Sequence, residues 1–301
     1  MLVGSIVKAL SGFYYVIPDG VTTSDPVQCR ARGIFKMNNM TPLVGDYVIY
    51  EVSATGEGTI NEIQPRASEL IRPPIANVQQ AILIFSIAEP ALNLQLLDKF
   101  LVHIEHEGLE PVICLTKHDL LRLDDESSVE LIKQAITIYE RIGYPVIVTS
   151  TKQQTGVAQV KERLRGRISV FSGQSGVGKS SLVNALIPNV MMETNQISKK
   201  LGRGKHTTRH VQLIPIPEGG WVADTPGFSQ LDFLQIEAEQ LSNCFREFRA
   251  LSQECKFRSC LHHQEPGCRV RQAVENGEIA DSRYAHYGQF LQEIKERKRR
   301  Y

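Results

Sequence analysis

Gly173-Gln174-Ser175-Gly176-Val177-Gly178-Lys179-Ser180 stands past the middle of the chain. It follows the apolar run Ile168-Ser169-Val170-Phe171 and opens a segment, Ser180 to Leu186, whose pattern predicts a helix. Strand, glycine-rich loop and helix are the context in which this spacing is a phosphate-binding loop. Glycines at 173, 176 and 178 let the backbone wrap closely round phosphate, with N–H groups pointing inward. The helix N-terminus adds a favourable partial charge. Lys179 would reach the β- and γ-phosphates of a nucleotide, and the Ser180 hydroxyl would ligate Mg²⁺.

Working outward, Asp224-Thr225-Pro226-Gly227 ends the apolar strand Trp221-Val222-Ala223. In nucleotide hydrolases with a phosphate loop such an Asp holds Mg²⁺ through water, and the Gly amide meets the γ-phosphate. Between the two motifs lies Gly202-Arg203-Gly204-Lys205-His206-Thr207-Thr208-Arg209, polar, basic and glycine-rich. This composition suits a switch loop in which Thr207 or Thr208 completes the Mg²⁺ shell while the γ-phosphate is present; the sequence does not choose between them. Thr116-Lys117-His118-Asp119 follows the apolar strand Val112 to Leu115. Asp119 offers a carboxylate to guanine N1–H and its exocyclic amine, a donor pair that adenine lacks. The usual motif begins with Asn, and a hydroxyl at Thr116 makes fewer hydrogen bonds than an amide. Guanine selectivity is therefore expected to rest on Asp119, with lowered affinity. Thr149-Ser150-Thr151-Lys152, after a further strand, is placed to support the base from its other side. The base-reading motif comes before the phosphate loop, the reverse of an ordinary small GTPase. Phe228, just after the Asp224–Gly227 motif, cannot hold a water, so His206 is the candidate for positioning the attacking one.

The first 70 or so residues read as all-β, with runs at Leu2 to Ala9, Phe13 to Ile17, Val27 to Phe35, Tyr47 to Val52 and Thr59 to Ile63. Turn signals such as Pro18-Asp19-Gly20 separate them. Five short strands predict a small closed barrel of the OB type, with Arg30, Arg32 and Lys36 as a modest basic stretch. Arg72-Pro73-Pro74 reads as a linker. Beyond it, strands and helices alternate in the manner of a parallel α/β sheet. After Phe228 the chain reads as mostly helical. The expected domains are 1–70, an RNA-binding barrel; 72–231, the nucleotide domain; and 232–301, a helical metal-binding domain.

Of six cysteines, three cluster in Cys255-x4-Cys260-x-His262-x5-Cys268. Three thiolates and an imidazole suit tetrahedral zinc, and a filled Cys₃His shell is structural rather than catalytic. His263 is a competing imidazole at this spacing. Cys114 reads as a core residue, and no function is evident for Cys29 or Cys244. Net charge is +1, so global charge argues for no partner. The basic end Lys295 to Arg300 is either a solvated helix terminus or a nucleic-acid contact. No apolar run reaches membrane-spanning length and the N-terminus lacks a signal-peptide pattern, so a cytoplasmic location is expected.

Taken together, these motifs resemble the ribosome small subunit-dependent GTPase A family (RsgA, also YjeQ or YloQ), the bacterial circularly permuted GTPases. The resemblance spans the whole chain: the barrel, the early base-reading motif, the His206-Thr207-Thr208 switch and the Cys-Cys-His-Cys spacing. It implies an N-terminal OB-fold β-barrel, a central circularly permuted P-loop α/β GTPase domain and a C-terminal helical zinc domain. It further implies GTP hydrolysis stimulated by the small (30S) ribosomal subunit, late maturation of that subunit, and contact with 16S rRNA by a monomer. Gly173 to Ser181 and Thr116 to Asp119 are expected to bind GTP or GDP with Mg²⁺. Cys255, Cys260, His262 and Cys268 match the family's zinc ligands, and His206 its hydrolytic histidine. Two other readings are an RNA-binding factor that uses GTP only as a conformational ligand, and a P-loop ATPase.

Overall fold

A computed structural model describes residues 1–21, 25–37, 40–71, 73–122, 124–187, 211–217, 219–224 and 232–299, with backbone only at 36, 224, 298 and 299. The five predicted N-terminal strands are β1 (Leu2–Leu10), β2 (Phe13–Pro18), β3 (Val27–Ala31), β4 (Tyr47–Val52) and β5 (Gly58–Ile63). They pair in the order β1-β2-β3-β5-β4, and β1 closes on β4 from Leu2↔Tyr50 to Ser5↔Tyr47. Alternate residues Ile6, Val16, Val48, Tyr50 and Ile60 fill the interior, as the period-two pattern of a barrel demands. The third strand is shorter than its sequence promised. It stops at Ala31, and after Gly33 the chain makes a helical turn, α1 (Ile34–Met37).

The expected linker is instead part of a hairpin, β6 (Glu69–Ile71) with β7 (Pro74–Ala76), in which Leu70 faces Ile75 and both are buried. Pro74 opens its strand, where the missing N–H costs no ladder bond. The hairpin is locked to the barrel. Ala76 N–H donates to the Val44 carbonyl at 2.9 Å, and Asn77 Nδ2 donates to the Gly45 carbonyl at 2.9 Å. Nearby, Arg66 donates to both oxygens of the fully buried Asp46 at 2.7 and 2.8 Å.

The second domain carries β8 (Gln80–Ser86), α2 (Leu94–His106), β9 (Glu110–Thr116), α3 (Glu126–Ile142), β10 (Val146–Val148), α4 (Val157–Leu164), β11 (Ile168–Ser172), α5 (Lys179–Leu186), β12 (Gln212–Pro215) and β13 (Trp221–Asp224). Spatial order is β10-β9-β8-β11-β13-β12. The first five strands run parallel, as the alternating pattern required, but β12 runs antiparallel to β13. It also bridges to the barrel, Lys8 opposite Gln212. The sheet therefore continues into the barrel. Every residue of β8 is buried, as expected of a central strand covered on both faces. One face packs with residues of α2 and α3, the other with residues of α4 and α5.

Beyond residue 232, short helical pieces lead to helices Arg246–Ser252 and Arg269–Glu275 and the long C-terminal helix Asp281–Arg299. Phe245, Phe248, Tyr287 and Phe290 form their core, which also takes in Val102 of α2. Among the described residues, no helix is long and apolar enough to cross a membrane.

Candidate nucleotide site and candidate metal centre

The phosphate loop leaves the C-terminal end of β11, between β8 and β13. A Cβ on Gly173 would lie 2.1 Å from the Ile84 carbonyl oxygen, so only glycine lets the loop pass this close to β8. Gly176 and Gly178 adopt φ of 82° and 93°, left-handed conformations that side chains resist. Gln174, Ser175 and Gly176 are exposed, and Val177 is buried beneath them. Lys179 begins α5, with Ser180 and Ser181 in its first turn. The loop's N–H groups and the helix N-terminus thus share one open end of the sheet.

The base-reading segments leave the same end of the sheet, after β9 and β10. His118 N–H donates to the Thr149 carbonyl at 3.2 Å, joining the two segments. Ser150 Oγ donates to Asp119 Oδ1 at 2.6 Å, and Lys152 Nζ lies 3.4 Å from Oδ2. The Ser150 hydrogen bond, with smaller contributions from the Asp119 backbone N–H and the Lys152 ammonium, holds the Asp119 carboxyl below its ordinary value despite partial burial. Asp119 is therefore an anionic acceptor at neutral pH. Thr151 offers its carbonyl to Gln154 Nε2 at 2.7 Å, which closes the loop.

Thr116 has a role its sequence position did not disclose. Its side chain is 3% exposed, and its hydroxyl donates to the Val177 carbonyl of the phosphate loop, with the Phe85 carbonyl 3.2 Å away. Lys117 adopts φ 60°, lies alongside Gly178 and donates its ammonium to the Glu89 carbonyl. Thr116 thus braces the phosphate loop from the side of the Thr116–Asp119 segment. No local spacing signalled these backbone partners, because β8 separates β9 from β11.

Asp224 ends β13 opposite Gln212, and β13 runs beside β11 with Val170 opposite Ala223. This register brings Asp224 and the start of α5 to the same end of adjacent strands. The Asp224 side chain lies outside the described residues, as do His206, Thr207, Thr208, Gly227 and Phe228.

In the C-terminal module, ligand atoms of Cys255, Cys260, His262 and Cys268 all lie within 4.8 Å of one another. Cys255 Sγ and Cys268 Sγ are 3.5 and 3.4 Å from His262 Nδ1 and 3.9 Å from each other. A tetrahedron with metal–sulfur bonds of about 2.3 Å has edges of about 3.5 to 3.8 Å, so these donors fit tetrahedral zinc. His262 is the imidazole in the cluster; His263 is exposed and outside it. Ser252 Oγ donates to the Phe248 carbonyl at 2.7 Å and lies 3.0 Å from His262 Nε2. Its one hydrogen is therefore committed, and it must accept from Nε2–H. That fixes the tautomer whose Nδ1 lone pair faces the cysteines, the usual outer-shell arrangement of a metal-binding histidine. Burial drives the Cys260 thiol up to about 12 and the Cys268 thiol upward, and drives the His262 imidazole downward. A cation would reverse the cost of ionising the thiols. Sequence reasoning missed Ser252, and nothing in its spacing marked it. It missed also Tyr284 and Tyr287, whose hydroxyls hold the His262 and Leu261 carbonyls at 2.8 and 2.7 Å.

Cys114 is buried in β9, as expected; Cys29 and Cys244 are buried too, and nothing in their surroundings gives them a chemical role.

The sequence profile of the RsgA GTPase family matches residues 63–234, and that of the RsgA N-terminal domain matches residues 3–60. The small ribosomal subunit biogenesis GTPase RsgA of Bacillus velezensis is 54% identical over 298 residues, covering 99% of both chains. The protein of the same name from Geobacillus kaustophilus is 54% identical over 301 residues, 100% of each. The crystal structure of YloQ, a circularly permuted GTPase, superposes with a TM-score of 0.85 at 45% identity, covering 99% of this chain and 96% of that one. YjeQ from Thermotoga maritima gives a TM-score of 0.84 at 38% identity, covering 97% and 98%.

Proposed function

This chain belongs to the RsgA GTPase family, and from that premise we propose that it is a GTPase of small-ribosomal-subunit biogenesis. In this reading it hydrolyses GTP to GDP and phosphate in the cytoplasm, as a monomer bound to the small (30S) subunit late in its maturation. The barrel of residues 1–70 and the module of residues 232–301 contact 16S rRNA, and residues 72–231 bind nucleotide.

One observation carries the reading: the Thr116 hydroxyl is bonded to the Val177 carbonyl. This bond ties the segment that carries Asp119, the proposed guanine-selecting carboxylate, to the loop at Gly173–Gly178 proposed to take the phosphates. Phosphoryl transfer asks little covalent chemistry of a protein and much positioning. The phosphate-loop amides and Lys179 offset charge on the β- and γ-phosphates. When bound, Mg²⁺ would supply further neutralisation there, and Ser180, Asp224 and Thr207 or Thr208 are the residues that would hold it. Gly227 offers its amide to the γ-phosphate, and His206 positions water. Zinc at Cys255, Cys260, His262 and Cys268 is structural, since four protein donors leave no open position.

Phosphate release with purified small subunits, large subunits and neither tests the proposal. Turnover stimulated by small subunits alone is expected. Equal turnover in all three would remove the dependence on small subunits, and no turnover above background in any would leave nucleotide as a conformational ligand only.

A further inference from the structure

Between the first two candidate metal ligands the chain presents Lys256-Phe257-Arg258-Ser259. All four are exposed, and Phe257 keeps 42% of its surface in solvent. A single exposed aromatic residue is ordinary on a protein surface. Two observations separate this one. First, the loop is tied at both ends. Cys255 and Cys260 belong to the cluster facing His262, Cys260 N–H donates to the Phe257 carbonyl at 3.3 Å, and Lys256 N–H donates to the Gly267 carbonyl at 3.2 Å. The ring is therefore carried on a short loop anchored at both ends, outside the buried core of the module. Second, cations flank it in the sequence, Lys256 before it and Arg258 after it. Lys256 Nζ is 5.6 Å from the ring centroid. The neighbouring carboxylate, Glu254, is engaged by Arg269 at 3.4 Å, so the local charge is positive.

We infer that Phe257 is a stacking platform for an unpaired RNA base, with Lys256 and Arg258 on the flanking phosphates. Aromatic faces between cations are how proteins hold single-stranded RNA. The ring supplies stacking that any base satisfies, and the cations supply a salt-dependent grip. A folded protein partner would instead call for a wider apolar patch round the ring. The inference rests on the proposed ribosomal function, deepening it from subunit to unpaired rRNA.

The test places a reporter at the ring. Trp221 is the chain's single tryptophan, so full-length, metal-loaded Phe257→Trp carries one new indole over a known background. Adding a short oligouridine should quench the new emission, while a matched RNA duplex should not. Phe257→Ala should bind the oligonucleotide about tenfold more weakly. Lys256→Gln with Arg258→Gln should reduce the slope of log affinity against log salt by about 1.4. Absent quenching, equal quenching by duplex, or unchanged binding in Phe257→Ala would overturn the inference. Basal and small-subunit-stimulated GTP turnover of the unaltered chain reports separately on the proposed function.

Discussion

The Arg283 guanidinium meets the Asp98 carboxylate at 2.6 Å, and each side chain is 1% exposed. Asp98 belongs to α2 of the nucleotide domain, and Arg283 to the C-terminal helix. Arg283 also pairs with Glu247 at 2.7 Å, while Tyr139 Oη donates to Asp98 at 2.6 Å and His286 Nδ1 lies 2.5 Å away. Burial alone would depress the Arg283 pKa, but the charges of Asp98 and Glu247 outweigh it and raise the pKa well above its ordinary value. The C-terminal module is thus fastened to the flank of the nucleotide domain by a buried charge network, as well as by the chain that follows Asp224.

Removing one member of such a network strands the others. Asp98→Ala should cost about 3–5 kcal/mol of stability in urea denaturation, because Arg283 keeps its charge with one partner fewer. Arg283→Met should cost more than Asp98→Asn, since it strands two carboxylates. Equal, small effects would mean that water reaches the interface.

Thr116→Val keeps the shape of the side chain and deletes the hydroxyl that braces the phosphate loop. The Val177 carbonyl then loses a buried partner, a loss of about 1–3 kcal/mol. GDP affinity, read by fluorescence titration, should fall about tenfold, and Thr116→Ser should restore it. Unchanged affinity in the valine variant would remove Thr116 from the site.

The depressed Asp119 pKa sets the direction of a pH effect. A carboxyl whose folded value is lowered favours the ionised form, and its contribution is lost only as pH falls through that value, below the ordinary 3.8. Guanine preference over adenine should therefore be flat from about pH 5 upward. Ser150→Ala removes the largest source of the depression and should weaken GDP binding about tenfold, while leaving that plateau flat. Affinity that climbs between about pH 5 and 7 would show that Asp119 titrates there instead.

Metal loading should be proton-linked. The thiols must ionise to ligate, and burial holds Cys260 at about 12 without a cation. Zinc affinity should fall as pH falls, with protons released on binding. Chelation should lower the melting temperature and reduce helical circular dichroism. Cys268→Ser should abolish stoichiometric zinc by mass spectrometry; full retention would displace Cys268 from the shell.

His206→Ala should lower small-subunit-stimulated GTP hydrolysis by about 100-fold, the scale of a positioned catalytic group. Nucleotide affinity should stay near that of the unaltered chain. Undiminished stimulated turnover would assign water positioning to another residue.

Much of this protein was legible one segment at a time. The phosphate loop, the Asp119 carboxylate proposed to read guanine, the Cys₃His spacing and most strand limits are local, because each depends on residues within a few positions of one another. Glycine at 173, 176 and 178 already names a backbone that side chains would block. The hairpin at Glu69–Ala76 was missed because Pro73-Pro74 looks like a break; the pairing of Leu70 with Ile75 depends on burial against the barrel. Likewise β12 has no sequence mark of its antiparallel course, which follows from its place between β13 and β1.

By itself, then, the sequence determined which chemical groups this chain carries and in what order along the backbone. Only tertiary structure decided which distant groups meet: Thr116 with Val177, Ser252 with His262, Asp98 with Arg283. The physical reason is common to all three. Burial makes an unpaired polar group costly, and the partner that relieves the cost is set by packing between elements, which linear spacing does not encode.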